Sequence, residues 1–113
     1  MTIEDRIITA LLPIVPNIMP NEYTGDSLEY IEFNYDEYHL YANGTKAETR
    51  ALIQVHYYLP KKKNPLSTKE QIAKALKTAG FSYPSIVNAS DNTSQHYTFE
   101  CEGVEWQASP SAV

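Results

Sequence analysis

Glu48-Thr49-Arg50-Ala51-Leu52-Ile53-Gln54-Val55-His56-Tyr57-Tyr58-Leu59, followed by Pro60, is the stretch on which the fold turns. Ala51, Ile53, Val55 and Tyr57 point one way, and Leu52, Gln54, His56 and Tyr58 the other, which is the period of two that a strand imposes. Apolar residues on both faces predict a central strand. Pro60 has no N–H to give a ladder and ends it. Just upstream, Asn43-Gly44 predicts a tight hairpin, because both residues tolerate positive φ. Tyr38 to Ala42 is read as the short partner strand of that hairpin. A further strand is expected from Leu28, with Ile31, Phe33 and Tyr35 on one face and Tyr30, Glu32 and Asn34 on the other. The acids Glu29, Glu32, Asp36 and Glu37 then cluster around a turn between these two strands.

Downstream of the long strand, Ser67-Thr68-Lys69-Glu70 reads as a capping box, with Ser67 and Glu70 satisfying amides at a helix start. Ile72, Ala75, Leu76 and Ala79 line one face, and Lys69, Lys74 and Lys77 the other. Gly80 supplies a left-handed end and Phe81 folds back on the last turn. Two strands near Ser85–Ala89 and Gln95–Glu102 follow, joined around Asp91-Asn92. In the last, Tyr97, Phe99 and Cys101 alternate with His96, Thr98, Glu100 and Glu102, so the aromatic side should face inward. Val104 and Trp106 either extend that strand or anchor the tail.

At the other end, Thr2 with Asp5 three residues on caps a first helix over about 2–12. Its stripe is Ile3, Ile7, Ile8, Leu11 and Leu12, and Pro13 stops it. Pro13, Pro16 and Pro20 punctuate a connector over 13–27 that can form neither helix nor central strand, yet Ile14, Val15, Ile18 and Met19 are apolar enough to dock. The expected architecture is α+β: a two-layer sandwich, mostly antiparallel, in the order α-β-β-β-α-β-β, with both helices on one face. We read one domain over 1–113, with sheet and second helix over 28–106 and a frayed tail over 107–113.

The composition bounds function. The net charge is −5, from 14 acids and 9 bases, and the one basic run is Lys61-Lys62-Lys63. Wrapping nucleic acid needs a basic stripe that releases counterions. An acidic surface instead keeps a duplex from sticking. No apolar run reaches the roughly 20 residues that span a bilayer, and the start of the chain lacks the features of a signal peptide. A cytosolic site of synthesis is therefore expected, and the single cysteine, Cys101, agrees. Nine tyrosines in 113 residues suit half-buried sheets through strand propensity, and equally suit subunit interfaces.

Chemistry-bearing residues are sparse. His39, His56 and His96 sit on separate strands, so a three-histidine metal site is imaginable, but the short-range spacing of ligand motifs is missing and no metal is expected. Cys101 alternates with core aromatics, which makes it a small hydrophobe and not a nucleophile. The clustered acids read as a hydrated surface rather than an acid–base pair. The four glycines stand singly at turns, so no phosphate loop exists. No catalytic residue and no cofactor is expected.

Several elements together resemble a known family. They are the leading helix, the Asn43-Gly44 hairpin, the strand Leu52 to Tyr58, the loop Lys61 to Asn64, the helix ending Ala75-Leu76-Lys77-Thr78-Ala79-Gly80-Phe81, and the closing strand through His96-Tyr97-Thr98-Phe99-Glu100. In this combination, over roughly Ile3 to Glu102, the chain resembles the tail terminator or tail-completion proteins of long-tailed bacteriophages and prophages. The resemblance implies a structural protein of the virion, made in the host cytoplasm. It would form a homo-oligomeric ring, a hexamer in that family, that caps the tail tube and ends its polymerisation. Its partners would be other copies of itself, the tail tube protein and the head–tail connector, with DNA only passing through the lumen and no membrane involved. The expected contact residues are Tyr38, His39 and Tyr41 on the hairpin and Lys61, Lys62 and Lys63 in the loop. Glu29 and Glu32 are the acidic candidates for the lumen. A head-completion (neck) protein and a small cytosolic binding module, with a tyrosine-lined groove between sheet and helices, are the alternative readings.

Overall fold

The computed structural model describes residues 2–104. Helix α1 spans Ile3–Leu11, and its start is the expected reciprocal cap. The Asp5 amide donates to Thr2 Oγ1 at 3.1 Å and the Thr2 amide to Asp5 Oδ2 at 3.4 Å. Ile3, Ile7 and Leu11, one turn apart, are the residues it buries. Leu12 is the C-terminal cap and Pro13 follows it.

The connector is not all coil. Ile18–Pro20 forms a short strand, β1, which lies parallel to β2 against Ile31, Glu32 and Phe33. Asn21, at φ 64°, turns the chain away after it. Strand β2 is continuous from Tyr30 to Ala42. The turn expected near Asp36-Glu37 does not form, because both residues are held in the ladder opposite Leu52 and Ala51. The three strands before the second helix are thus β1, β2 and β3 (Thr45–Leu59), joined at Asn43-Gly44, both with positive φ.

Helix α2, Leu66–Thr78, begins two residues earlier than the Ser67 cap requires. Pro65 already has helical dihedrals at the cap position, and Asn64 Oδ1 accepts from the Leu66 amide at 3.0 Å. Ser67 therefore lies inside the first turn, where its Oγ accepts from Gln71 Nε2 instead of capping. The C-terminal end forms as expected. Gly80, at φ 96°, donates to Lys77 O, and Phe81 donates to Leu76 O, the paired bonds of a Schellman end. Strands β4 (Ser85–Asn88) and β5 (Gln95–Val104) complete one five-stranded sheet in the order β1-β2-β3-β5-β4. Only the β1–β2 pair is parallel.

Both helices lie on one face, giving the expected two-layer α+β arrangement. Ile31 and Phe33 of β2, Ile53, Val55 and Tyr57 of β3, and Phe99 of β5 meet Ile3, Ile7, Leu11, Ile72 and Leu76 in a single core. Phe81 closes it at the end of α2, 1% exposed, with the Arg6 guanidinium 4.4 Å above its ring. The tail beyond Val104, including Trp106 and the frayed segment expected over 107–113, lies outside the described residues.

Gly103 marks the tightest point of this closure. A β-carbon there would come within 2.4 Å of Phe81 Cδ1. Gly103→Ala should therefore lower stability by about 1–3 kcal/mol, as overpacked cores do. In a Phe81→Ala background the same change should cost almost nothing, because the ring it strikes is gone. Urea unfolding of the four chains checks this non-additivity.

Candidate functional site

The helices leave the other face of the sheet uncovered, and the even-numbered residues of β2 stand on it. Register aligns them into cross-strand rows. Tyr30, Tyr58 and His96 form one row, Glu32, His56 and Thr98 the next, and Asn34, Gln54 and Glu100 a third. Asp36, Leu52 and Glu102 follow. Glu32, Asp36, Glu100 and Glu102 thus share this face with Arg50, which meets Glu102 at 3.5 Å and Glu48 at 2.6 Å.

The first row is an aromatic stack. Tyr23 lies on Tyr30 with centroids 4.4 Å apart, Tyr30 on Tyr58 at 4.7 Å, and Tyr58 on His96 at 4.1 Å. Both faces of Tyr30 and of Tyr58 are consumed by ring neighbours, so the stack is a rib across three strands. Base-stacking platforms need free ring faces, which these two rings do not offer. Tyr23 is brought to the stack by its own amide, which donates to Glu32 Oε2 at 2.8 Å.

Two of the three histidines meet here. His56 Nδ1 and His96 Nε2 are 3.0 Å apart, with Thr98 Oγ1 3.3 Å from the former and 3.5 Å from the latter. Burial lowers the pKa of both rings, and His56 lowers that of His96 further, while the nearby Glu32 pulls the other way. His39 stands apart, its Nδ1 2.9 Å from Thr49 Oγ1. Among the described residues, no three of the His, Cys, Asp and Glu side chains gather as metal ligands. Cys101 lies on the covered face, its thiol pushed up to about 11 by burial.

The remaining expected site residues divide between the two ends of the long axis. Past Phe33 on one side and Arg50 on the other, β2 and β3 have no further partner among the described strands, so they continue as a two-stranded arm. Tyr38 sits at its root and donates from its hydroxyl to Glu102. Near the tip, Leu40 and Tyr41 are 40% and 65% exposed. Lys61, Lys62 and Lys63 lie at the opposite end, beyond the last residue of β3, and all three are exposed. Lys63 reaches Glu29 at 2.6 Å. Burial pushes the Glu29 carboxyl up, but hydrogen bonds from Lys63 and Tyr57 outweigh it and hold its pKa below the ordinary value. Glu29 thus joins the buried Tyr57 on the helix side, whereas Glu32 stands on the uncovered face.

Gln95 was not among the residues singled out in the sequence, yet it shapes the lysine loop. Its Nε2 donates to the carbonyls of Pro60, Lys61 and Lys63 at 2.8, 3.2 and 2.7 Å, while Oε1 accepts from Tyr97. A glutamine at the start of a strand carries no pattern that announces this role. Arg6 is a second such residue, donating to the carbonyls of Ala79 and Val104 and so tying α1 to α2 and β5.

No protein-family model and no curated protein matches the chain. The functional reading therefore stands on the geometry and on the resemblance already described.

Two outcomes follow from these contacts. Because the folded state holds His56 and His96 below the ordinary value near 6.5, the unfolded chain takes up protons first on acidification. Stability should be level above about pH 6.5 and decline as pH falls from there through the lowered folded values. His96→Phe keeps a ring on Tyr58 and should flatten that decline in urea midpoints compared at pH 7.5 and 5.5. Gln95→Ala leaves three carbonyls of the loop without their donor, so it should cost about 1–3 kcal/mol and speed amide exchange over residues 61–64.

Proposed function

We propose that this chain is a tail terminator or tail-completion protein of a long-tailed bacteriophage or prophage. In this reading its role is structural: a ring of copies caps the tail tube, ends its polymerisation and presents a second surface to the head connector. Assembly takes place in the host cytoplasm and the finished ring belongs to the virion.

The observation that carries the reading is the arm. A two-stranded ribbon that outruns its own sheet and exposes Leu40 and Tyr41 has no third strand beside it among the described residues. Arms of this kind gain their stability from another subunit. The molecule is also two-ended, as a terminator has to be. Its long axis is 53 Å against 25 and 24 Å across. The arm with Tyr38, His39 and Tyr41 is at one end of β3, and Lys61, Lys62 and Lys63 are at the other. Two chemically different ends suit contacts with two different partners.

The uncovered face supports the same reading. With Glu32, Asp36, Glu100 and Glu102 on it, that face repels phosphate, and turned toward a lumen it would let a duplex slide through without binding. The fixed aromatic rib gives such a wall stiffness without offering free ring faces to bases. Glu32 fits a lumen position on this account, and Glu29, tied to Lys63, belongs to the lysine-loop end instead.

The experiment is light scattering and negative-stain imaging of the chain with and without purified tail tubes. Rings, or caps on tube ends, are the expected result, and a chain that ignores tubes at every concentration contradicts the reading. Replacing Lys61, Lys62 and Lys63 with serine should weaken docking at that end without unfolding the protein, and unchanged docking removes the loop from the contact.

A further inference from the structure

We propose that copies of this chain join edge to edge, with β4 of one copy adding as a strand to the open outer edge of β2 over Glu37–Leu40 in the next. The inference rests on the ring reading above and names the contact through which such a ring closes.

The sheet's two outer edges are protected unequally. β1 is three residues long, ends in Pro20 and is preceded by Pro16, which blunts it against further pairing. Pro84 directly precedes β4, but within Ser85–Asn88 there is neither a charge nor a proline, and Ile86 and Val87 are 39% and 52% exposed. Natural edges of that kind are normally covered. On the opposite side, β1 shields β2 only over Ile31–Phe33. Beyond it no described strand lies along the outer side of β2.

Strand direction then decides how the edges meet. β2 with β3, β3 with β5, and β5 with β4 are all antiparallel, so β4 runs opposite to β2. In a ring whose copies share one axial direction, β4 arrives antiparallel to the next copy's β2. The two edges lie on opposite sides of one sheet, so the contact is head-to-tail, the type that can close into a ring.

The backbone groups match as well. The Ala89 amide donates to His96 O, so by alternation the amides of Ile86 and Asn88 point away from β5. The Ile31 amide donates to Asn17 O and the Phe33 carbonyl accepts from Asn21, so Glu37 and His39 point outward from β2. These four residues share the helix side of their strands, since Ile86 is opposite Phe99 and Glu37 opposite Ala51. Pairing Ile86 with His39 and Asn88 with Glu37 leaves Val87 on the uncovered face, beside Tyr38.

Register supplies an independent check. Through β5 and β3, Asn88 lies level with Ile31 and Ser85 with Asn34 of the same chain. A neighbour added without stagger would strike β1. A shift of six residues, even so that the faces agree, sets β4 opposite Glu37–Leu40. At roughly 3.3 Å per residue and about 4.8 Å between strands, that shift over four strands tilts them by roughly 45° from the ring axis. Closed barrels use tilts of about 35–45°. The stagger forced by β1 is therefore one that a closed sheet accommodates.

The test is sedimentation and light scattering of the full chain and three variants. Glu37→Pro and Ile86→Pro each delete an outward amide without touching the ladder inside the chain, and Val87→Lys blocks the β4 edge a second way. Wild type should self-associate, and each variant alone should be monomeric with an unchanged circular dichroism spectrum. Mixing Glu37→Pro with Ile86→Pro or Val87→Lys should give a one-to-one dimer that grows no further, since one intact interface remains. The proposal is overturned by a wild type monomeric at its highest soluble concentration, by variants that assemble like wild type, or by a mixture that stays monomeric. The ring reading fails separately: copies that pair through these edges but never cap tubes sink the terminator assignment alone, and variants that cap tubes like wild type sink the edge pairing alone.

Discussion

Two helices cover one face of a five-stranded sheet, and the rest of the molecule follows from that one-sided burial. The odd-numbered residues of β2 and β3 meet α1 and α2 in a single apolar layer, fixed at one end by Phe81 between Arg6 and Gly103. A one-residue slip of register would carry Glu32 and His56 into that layer, so the core itself specifies the pairing. The even-numbered residues must then remain compatible with water. They do so by carrying carboxylates or by stacking rings on one another.

That division explains the distribution of chemistry. The only thiol is on the dry side, where it is a small hydrophobe with an elevated pKa. The paired histidines are on the wet side, where each leans toward its neutral form. Acids accumulate on the face that the two helices leave uncovered. The longest strands outrun the remaining described strands, and the arm they make exposes Leu40 and Tyr41. A sheet finished on one face and open along an edge is the physical motive for the self-assembly proposed above.

Much of this was legible in the sequence. Periodicity gave β3, the inward face of β5, both helices and the Asn43-Gly44 turn, and with them the α+β order. The misreadings are informative. Asp36-Glu37 has the polarity of a turn, but thirteen consecutive residues of β2 pair with β3, and the ladder overrides local preference. β1 is bounded by prolines and only three residues long, too short for a period to show. At α2 two caps competed, and Pro65, already helical, moved the start so that Asn64 and not Ser67 serves the first turn. For the site, alternation showed which residues share a face, but it carries no register. It could not show that Tyr30, Tyr58 and His96 form one row, that Lys63 reaches Glu29, or that Gln95 holds three carbonyls of a loop thirty-odd residues away.

Amide hydrogen exchange followed residue by residue across a range of protein concentrations tests the central claim most directly. Assembly through the unfinished edges predicts that the outward amides of Glu37, His39, Ile86 and Asn88 slow together as concentration rises. Amides already bonded within the sheet, such as that of Ala89, should change little. If the protein associates while those four amides keep the exchange rates of the monomer, the copies meet through some other surface and the account is wrong.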